Sequence, residues 1–265
     1  MRKFLFYSVL LLACLWSTQT IAAGLIASPE ACLECHDDVI EAEDFAASVH
    51  GTNGCVACHV ELTNIDAHME GDLMPGPVDC ARCHNQEFKE YYDSAHHFDH
   101  VNINLTCTSC HRDIHEVISW KGDKQQANAI CISCHTTPAE EYHTSIHAKG
   151  IEAGNPDSAA CIDCHGIHAV ASVTDMDVRE RALFRTEPCM TCHADEEMMH
   201  KNEVFPVAVD TYLESYHGKN FHLGYPEKVA GCADCHTAHR VLPNEDPASS
   251  LNSENLVVTL SLIHI

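Results

Sequence analysis

Cys161-Ile162-Asp163-Cys164-His165-Gly166-Ile167-His168 is the stretch on which the reading of this chain turns. Its two thiols stand three residues apart, on one face of a helical turn. A histidine follows directly, and a second comes three residues later. Cys-x-x-Cys-His is the attachment signature of c-type haem. The thiols form thioethers to the two vinyl groups, and the histidine falls under the iron as proximal ligand. The chain carries the motif eight times: Cys32-Cys35-His36, Cys55-Cys58-His59, Cys80-Cys83-His84, Cys107-Cys110-His111, Cys131-Cys134-His135, Cys161-Cys164-His165, Cys189-Cys192-His193 and Cys232-Cys235-His236. Composition alone predicts roughly 0.1 copies, so eight are not chance. Every cysteine except Cys14 is used.

Other uses of paired cysteines explain less. Eight pairs could close four zinc sites of four thiolates each, but the histidine after every second cysteine would have no role. A thioredoxin-like redox motif occurs once, beside a βαβ pattern. A disulfide framework would not repeat one spacing eight times. Eight covalently attached haem c groups are therefore expected.

The first 23 residues read as a secretory signal, with Arg2 and Lys3 as the charged end, Phe4 to Trp16 as the apolar run and Ile21-Ala22-Ala23 as the cleavage site. The apolar run is too short for a comfortable membrane span. Cys14, after Leu11-Leu12-Ala13, loosely resembles a lipobox. A periplasmic or extracellular protein follows, with membrane association as the variant. Losing Arg2 and Lys3 with the leader takes the formal charge from −24 to −26. So acidic a chain is a poor nucleic-acid binder, since phosphate contacts need basic patches. A basic partner surface or a mineral suits it, with steering that weakens in salt.

Between the motifs runs a finer repeat. Aromatic-x-x-Ser-x-His occurs at Phe45…Ser48…His50, Tyr91…Ser94…His96, Tyr142…Ser145…His147 and Tyr212…Ser215…His217, after motifs one, three, five and seven. Motifs two, four, six and eight are followed closely by His68, His115, His168 and His239. The unit is a dihaem module present four times, over about 31–70, 79–118, 130–170 and 188–240, within a haem domain of 24–245. The eight repeat-selected histidines match eight motifs, which points to bis-histidine coordination throughout. Ser94 selects His96 over His97. His97, His100, His143, His200, His222 and His264 are read as bystanders, and Met198 or Met199 as a substitute ligand at the seventh site. His168 and His239 lie three residues after a proximal histidine and His115 four. At about 3.5 Å per residue, chain that short cannot round a porphyrin edge, so each serves another haem.

The fold expected is mostly α with extensive irregular loops, the haems forming the core. Each aromatic-x-x-Ser-x-His element reads as one helix of about 10–12 residues with the histidine near its C-terminus. Thr137 or Asn85 would cap it, Pro138 would stand at its first position, and Gly51, Gly150 or Gly218 would stop it. So few residues per haem cannot build a large apolar core, so the haem-free chain is expected to be largely unfolded.

Bis-histidine ligation gives lower potentials than His/Met ligation. Saturated, low-potential haems at short spacing suit single-electron transfer. The His-x-x-His turns at His165/His168 and His236/His239, with the eight motifs, make residues 31–259 similar to the multihaem c-type cytochromes of the class III cytochrome c superfamily. The chain resembles the periplasmic decahaem cytochromes of metal-reducing conduits and the multihaem domains coupled to quinol-oxidising membrane cytochromes. The resemblance implies haem attachment outside the cytoplasmic membrane and a role in anaerobic respiration. It implies redox partners: a quinol-linked membrane cytochrome, other multihaem cytochromes or a terminal reductase. Residues 246–259 resemble a run-up to a further motif, whereas Leu260 to Ile265 reads like adapter read-through, so 246–265 is expected to be a truncated tail. The other reading is an octahaem reductase of nitrite, hydroxylamine or tetrathionate type, with one open haem and Lys201 or Lys219 as an odd ligand. No catalytic base or nucleophile is expected in an electron carrier.

Overall fold

The computed structural model describes residues 29–97 and 105–264. The secretory leader, Cys14 and His100 lie outside the described residues. Among the described residues there are seventeen α-helices, none longer than nine residues, and no strand. The chain is mostly helical with irregular connections, and divides into two compact units, 1–42 with 52–78, and 43–51 with 79–265.

In the first unit, Pro29–His36 and Cys55–Cys58 carry the first two motifs, and Ile65–Met69 carries His68. Asn64 starts this last helix by accepting the N–H groups of Asp66 and Ala67, which supplies partners for otherwise orphaned donors.

In the second unit the even motifs form one-turn helices, Cys107–His111, Cys161–His165 and Cys232–His236. Each is capped from inside its own motif. Ser109 accepts the N–H of Thr106 at 3.0 Å, Asp163 that of Ala160 at 2.7 Å and Asp234 that of Gly231 at 2.8 Å. Each stops on a left-handed residue just after the histidine: Arg112 (φ 53°), Gly166 (φ 80°) and Thr237 (φ 64°). Only Gly166 adopts that backbone without strain. The turn sends the chain back over itself, placing His168 and His239 just beyond their motifs.

The aromatic-x-x-Ser-x-His elements differ from the single helix expected. In the third and fourth copies the serine breaks the run into two helices, Thr136–His143 with Ile146–Glu152, and Ala208–Glu214 with Tyr216–His222. Ser145 and Ser215 are N-caps, accepting from Ala148 and Gly218 at 3.1 and 3.2 Å. The histidine therefore opens the second helix instead of closing the first. The initiating positions also shift. His84 and His135 stand at the N-caps of Asn85–Tyr92 and Thr136–His143, so Asn85 and Thr137 lie inside the helices. Gly150 and Gly218 are interior too. Their role is close approach: a Cβ at Gly218 would collide with the Tyr212 carbonyl, and one at Gly150 with the Ser158 hydroxyl.

The buried apolar set among the described residues is Ala127, Ala148, Ile151, Ala160, Ala182, Met199, Val209 and Leu242. Half are alanines, too little side-chain volume for a conventional core of this size. Polar fasteners fill the gap. Buried Asn128 donates to the Tyr142 hydroxyl at 3.2 Å and accepts the Cys161 N–H at 2.9 Å.

Candidate haem-binding sites

With each of the two units taken by itself, six histidine pairs in all among the described residues face each other, each joining a motif histidine to a repeat-selected histidine. In the first unit His36 lies against His68, ring centroids 6.2 Å apart. In the second unit the pairs are His84 with His50 at 6.1 Å, His135 with His96 at 5.9 Å, His193 with His147 at 6.3 Å, His111 with His168 at 6.2 Å and His165 with His239 at 6.1 Å. Two imidazoles bonded through ring nitrogens to opposite sides of one metal ion, each at about 2 Å, have centroids about 6 Å apart. The pairs thus match the span one iron would set, and the residues fit the group their motifs imply. Neither His168 nor His239 lies against its own motif's histidine. In the second unit the pairs follow one register: the histidine after motif one, three or five meets motif three, five or seven, and the histidine after motif six or eight meets motif four or six.

His59 caps Cys55–Cys58 in the first unit. His115 lies in the second, its Nδ1 3.4 Å from Asp113. His217 stands 5.7 Å from His264. His97, passed over in favour of His96, packs on Tyr92 at 4.3 Å. His143 faces Glu152 at 3.3 Å, and Lys201 holds Asp157 at 2.6 Å. Met199 is buried in its own helix, Glu196–Lys201.

Beside several candidate ligands the second ring nitrogen meets an oxygen. Nδ1 of His68 contacts the Leu73 carbonyl at 2.9 Å and that of His50 the Ile114 carbonyl at 3.5 Å. Nδ1 of His168 is 3.8 Å from Glu90, and that of His239 3.5 Å from Glu141. Such acceptors hold the proton on Nδ1, aim Nε2 at a metal and raise its basicity. Glu90 and Glu141 each stand directly before the repeat's tyrosine. That recurrence is a sequence signal outside the aromatic-x-x-Ser-x-His pattern.

Burial holds His96, His111, His147, His165, His193 and His236 below the ordinary histidine range, and a neighbouring imidazole adds to this for all but His193. They stay neutral, as ligands must be. The thiols also meet in twos. The first cysteines of neighbouring motifs share hydrogen bonds: Cys32 with Cys55, Cys80 with Cys107, Cys131 with Cys161 and Cys189 with Cys232. Burial pushes Cys55 up to about 11; sharing a proton lowers Cys131 to about 7 and raises Cys161. Attachment points of motifs one and two, three and four, five and six, and seven and eight are thus adjacent. Among the described residues no three His, Cys, Asp or Glu side chains converge on a bare-ion site.

Tyrosines fasten the motifs. Tyr91, Tyr142 and Tyr212 donate to the carbonyls of Leu105, Ala159 and Ala230 at 2.6, 2.7 and 3.0 Å, each two residues before the next motif's first cysteine. Burial pushes the Tyr142 and Tyr212 phenols up to about 12, so both remain donors. Two ion pairs do similar work: Lys124 with Asp163 at 2.9 Å, and Arg185 with Asp234 at 2.7 Å.

With this geometry in view, two comparisons bear on the chain. Residues 99–178 match the family model described as cytochrome c3. The chain is 29% identical over 142 aligned residues to the cytochrome c-type protein NrfB of Escherichia coli O6:H1, which covers 47% of this chain and 74% of that protein. No solved structure matches. Motifs and comparisons agree on a multihaem c-type cytochrome that binds haem iron and serves electron transport.

Proposed function

We propose that this multihaem c-type cytochrome attaches eight haem groups, two to each of four dihaem modules, and moves single electrons along them. Bound haem iron supplies the one-electron chemistry. The chain's part would be to hold and tune it: paired cysteines would fix each group, histidines would hold its iron, and acidic residues would favour the oxidised, more positive form. The observation that carries this reading is the set of six histidine pairs at 5.9–6.3 Å, each drawn from two different motifs' neighbourhoods. Side chains that share a haem tie neighbouring motifs together and keep successive groups close. The ligand set proposed is His36 with His68, His84 with His50, His111 with His168, His135 with His96, His165 with His239, and His193 with His147, together with His59 and His236 as proximal ligands.

In this reading the chain is exported through its leader and exchanges electrons with other redox proteins in anaerobic respiration. Among the described residues no helix is long and apolar enough to cross a membrane. An excess of acidic over basic residues, 39 against 15, suits a partner with a basic face. The test is the haem count of the exported protein, by pyridine haemochrome and intact mass. Eight per chain with reversible one-electron titrations below the His/Met range is expected; fewer haems, or a step that turns over substrate, would contradict it.

A further inference from the structure

The histidine pairs fall into two sets by the angle between their rings. In the second unit, pairs completed by a histidine of the aromatic-x-x-Ser-x-His pattern are crossed: His84 with His50 at 70°, His135 with His96 at 51° and His193 with His147 at 55°. Pairs completed by a histidine that follows an even motif are near coplanar: His111 with His168 at 30° and His165 with His239 at 21°. In the first unit, taken by itself, His36 and His68 stand at 27°.

The two near-coplanar pairs of the second unit are braced alike, from both ends. The Trp120 indole lies flat on His111, centroids 4.8 Å apart and planes 4° from parallel, and Glu90 stands 3.8 Å from Nδ1 of His168. Phe184 packs on His165 at 5.2 Å, and Glu141 stands 3.5 Å from Nδ1 of His239. Each pair is the middle of a row: aromatic, motif histidine, following histidine, glutamate. In the crossed set, Ser48 and Ser94 instead fix the backbone, accepting the N–H groups of His50 and His96 at 3.2 Å.

The angle has an electronic meaning. Each imidazole π system raises the iron d orbital that it overlaps. Parallel rings raise the same orbital, so the two orbitals perpendicular to the porphyrin split. Low-spin ferric iron, with five electrons in three orbitals, puts its vacancy in the raised one and is stabilised. Ferrous iron, with all three filled, gains nothing. Crossed rings raise one orbital each, and the two stay nearly degenerate. Coplanar ligation therefore favours the oxidised form, through the axial-ligand lever on haem potential.

We propose that Trp120 with Glu90, and Phe184 with Glu141, are positioning residues that hold the ligand rings of the fourth and sixth haems near coplanar and make these the lower-potential members of their modules. This rests on the eight-haem reading. The first cysteines of motifs three and four, and of motifs five and six, are hydrogen-bonded neighbours. Each of these modules then sets a harder-to-reduce haem beside an easier one, and electrons rest on the third and fifth haems between transfers.

The test is electron paramagnetic resonance of the loaded protein along a reductive titration, read as variant-minus-parent difference spectra. His239→Met is expected to remove a rhombic low-spin signal, and His96→Met a highly anisotropic one with a single large g value. The signal that His96→Met removes should disappear from the parent at the higher potential. Trp120→Ala and Glu141→Ala are each expected to turn one rhombic signal into the large-g type, whereas Trp120→Phe and Glu141→Gln keep it. Trp120→Leu and Glu141→Ser stand in for an alanine variant that fails to load. Signals of one type from both histidine variants, the reverse order of reduction, or rhombic signals that survive loss of the aromatic and of the glutamate would overturn the inference. Failure of the underlying reading shows separately, as a haem count below eight or as spectra that neither histidine variant changes.

Discussion

His147 and His217 end the same sequence pattern in neighbouring repeats, and their local settings are nearly identical. Each follows an N-capping serine, Ser145 or Ser215, and opens a seven-residue helix. Each has a tyrosine five residues before it, bonded to the chain ahead of the next motif. Yet His147 faces the proximal His193, whereas His217 faces His264 and takes an N–H on the nitrogen that other candidate ligands turn to oxygen. The serine cap and tyrosine tether decide where the imidazole points from its helix. The element packed opposite decides what it meets. A repeat can thus be regular in sequence while its histidines meet different partners.

The largest test of this contrast removes attachment points. Cys161→Ala/Cys164→Ala takes away the group clamped by His165 and His239 and is expected to cost more than about 5 kcal/mol, since cofactor binding here is folding energy. Cys232→Ala/Cys235→Ala leaves all six pairs intact and should cost less than half as much. Thermal unfolding of the two loaded variants reads the difference, and equal losses would break the comparison. Next in size, His147→Met is expected to raise one potential by about 0.1 V or more, because thioether ligation favours the reduced form. His217→Met should move none of the titratable potentials, and spectroelectrochemistry separates the two outcomes.

Tyr142→Phe removes a hydroxyl that donates to Ala159 and accepts from buried Asn128, leaving buried polar groups short of a partner. About 1–3 kcal/mol of destabilisation is expected. Tyr212→Phe breaks the single Ala230 bond and should cost about 1 kcal/mol, both read by chemical denaturation. Acid provides a milder probe. Burial lowers the values of His96 and His147, so each stays neutral below the unperturbed value of about 6.5. Protonation that could release these two therefore sets in only below that value. Low-to-high-spin conversion of their sites should begin well below pH 6.5, and loss already at neutral pH would remove burial as the cause. Smallest of all, Glu141→Gln and Glu90→Gln should each raise one potential by a few tens of millivolts, by weakening the polarisation of His239 and His168. The fourth repeat has Thr211 at that place, and Thr211→Glu should shift nothing.

Much of this was legible in the residues. The eight motifs named the cofactor, the aromatic, serine and histidine spacing singled out His50, His96 and His147, and position after an even-numbered motif singled out His68, His168 and His239. Chain reach alone separated His168 and His239 from their own motifs. Other features were not readable, for physical reasons. Ser145 was visible as a marker, but whether it sat within a helix or capped a new one depended on the backbone break at that point. The pairing of Lys124 with Asp163 and Arg185 with Asp234 joins residues 39 and 49 positions apart, beyond any local pattern. The role of Gly218 came from the Tyr212 carbonyl beside it, not from ending a helix. His217 meets His264 of the helix Leu256–His264, a contact that no local pattern in its repeat shows.

The most direct test of the central claim, that histidines clamp haems held by other motifs, is a high-resolution structure of the loaded ferric protein. The account predicts Nε2 of His168 on the iron held through Cys107 and Cys110, and Nε2 of His239 on the iron held through Cys161 and Cys164. Either histidine bound to the iron of the motif it follows would contradict it.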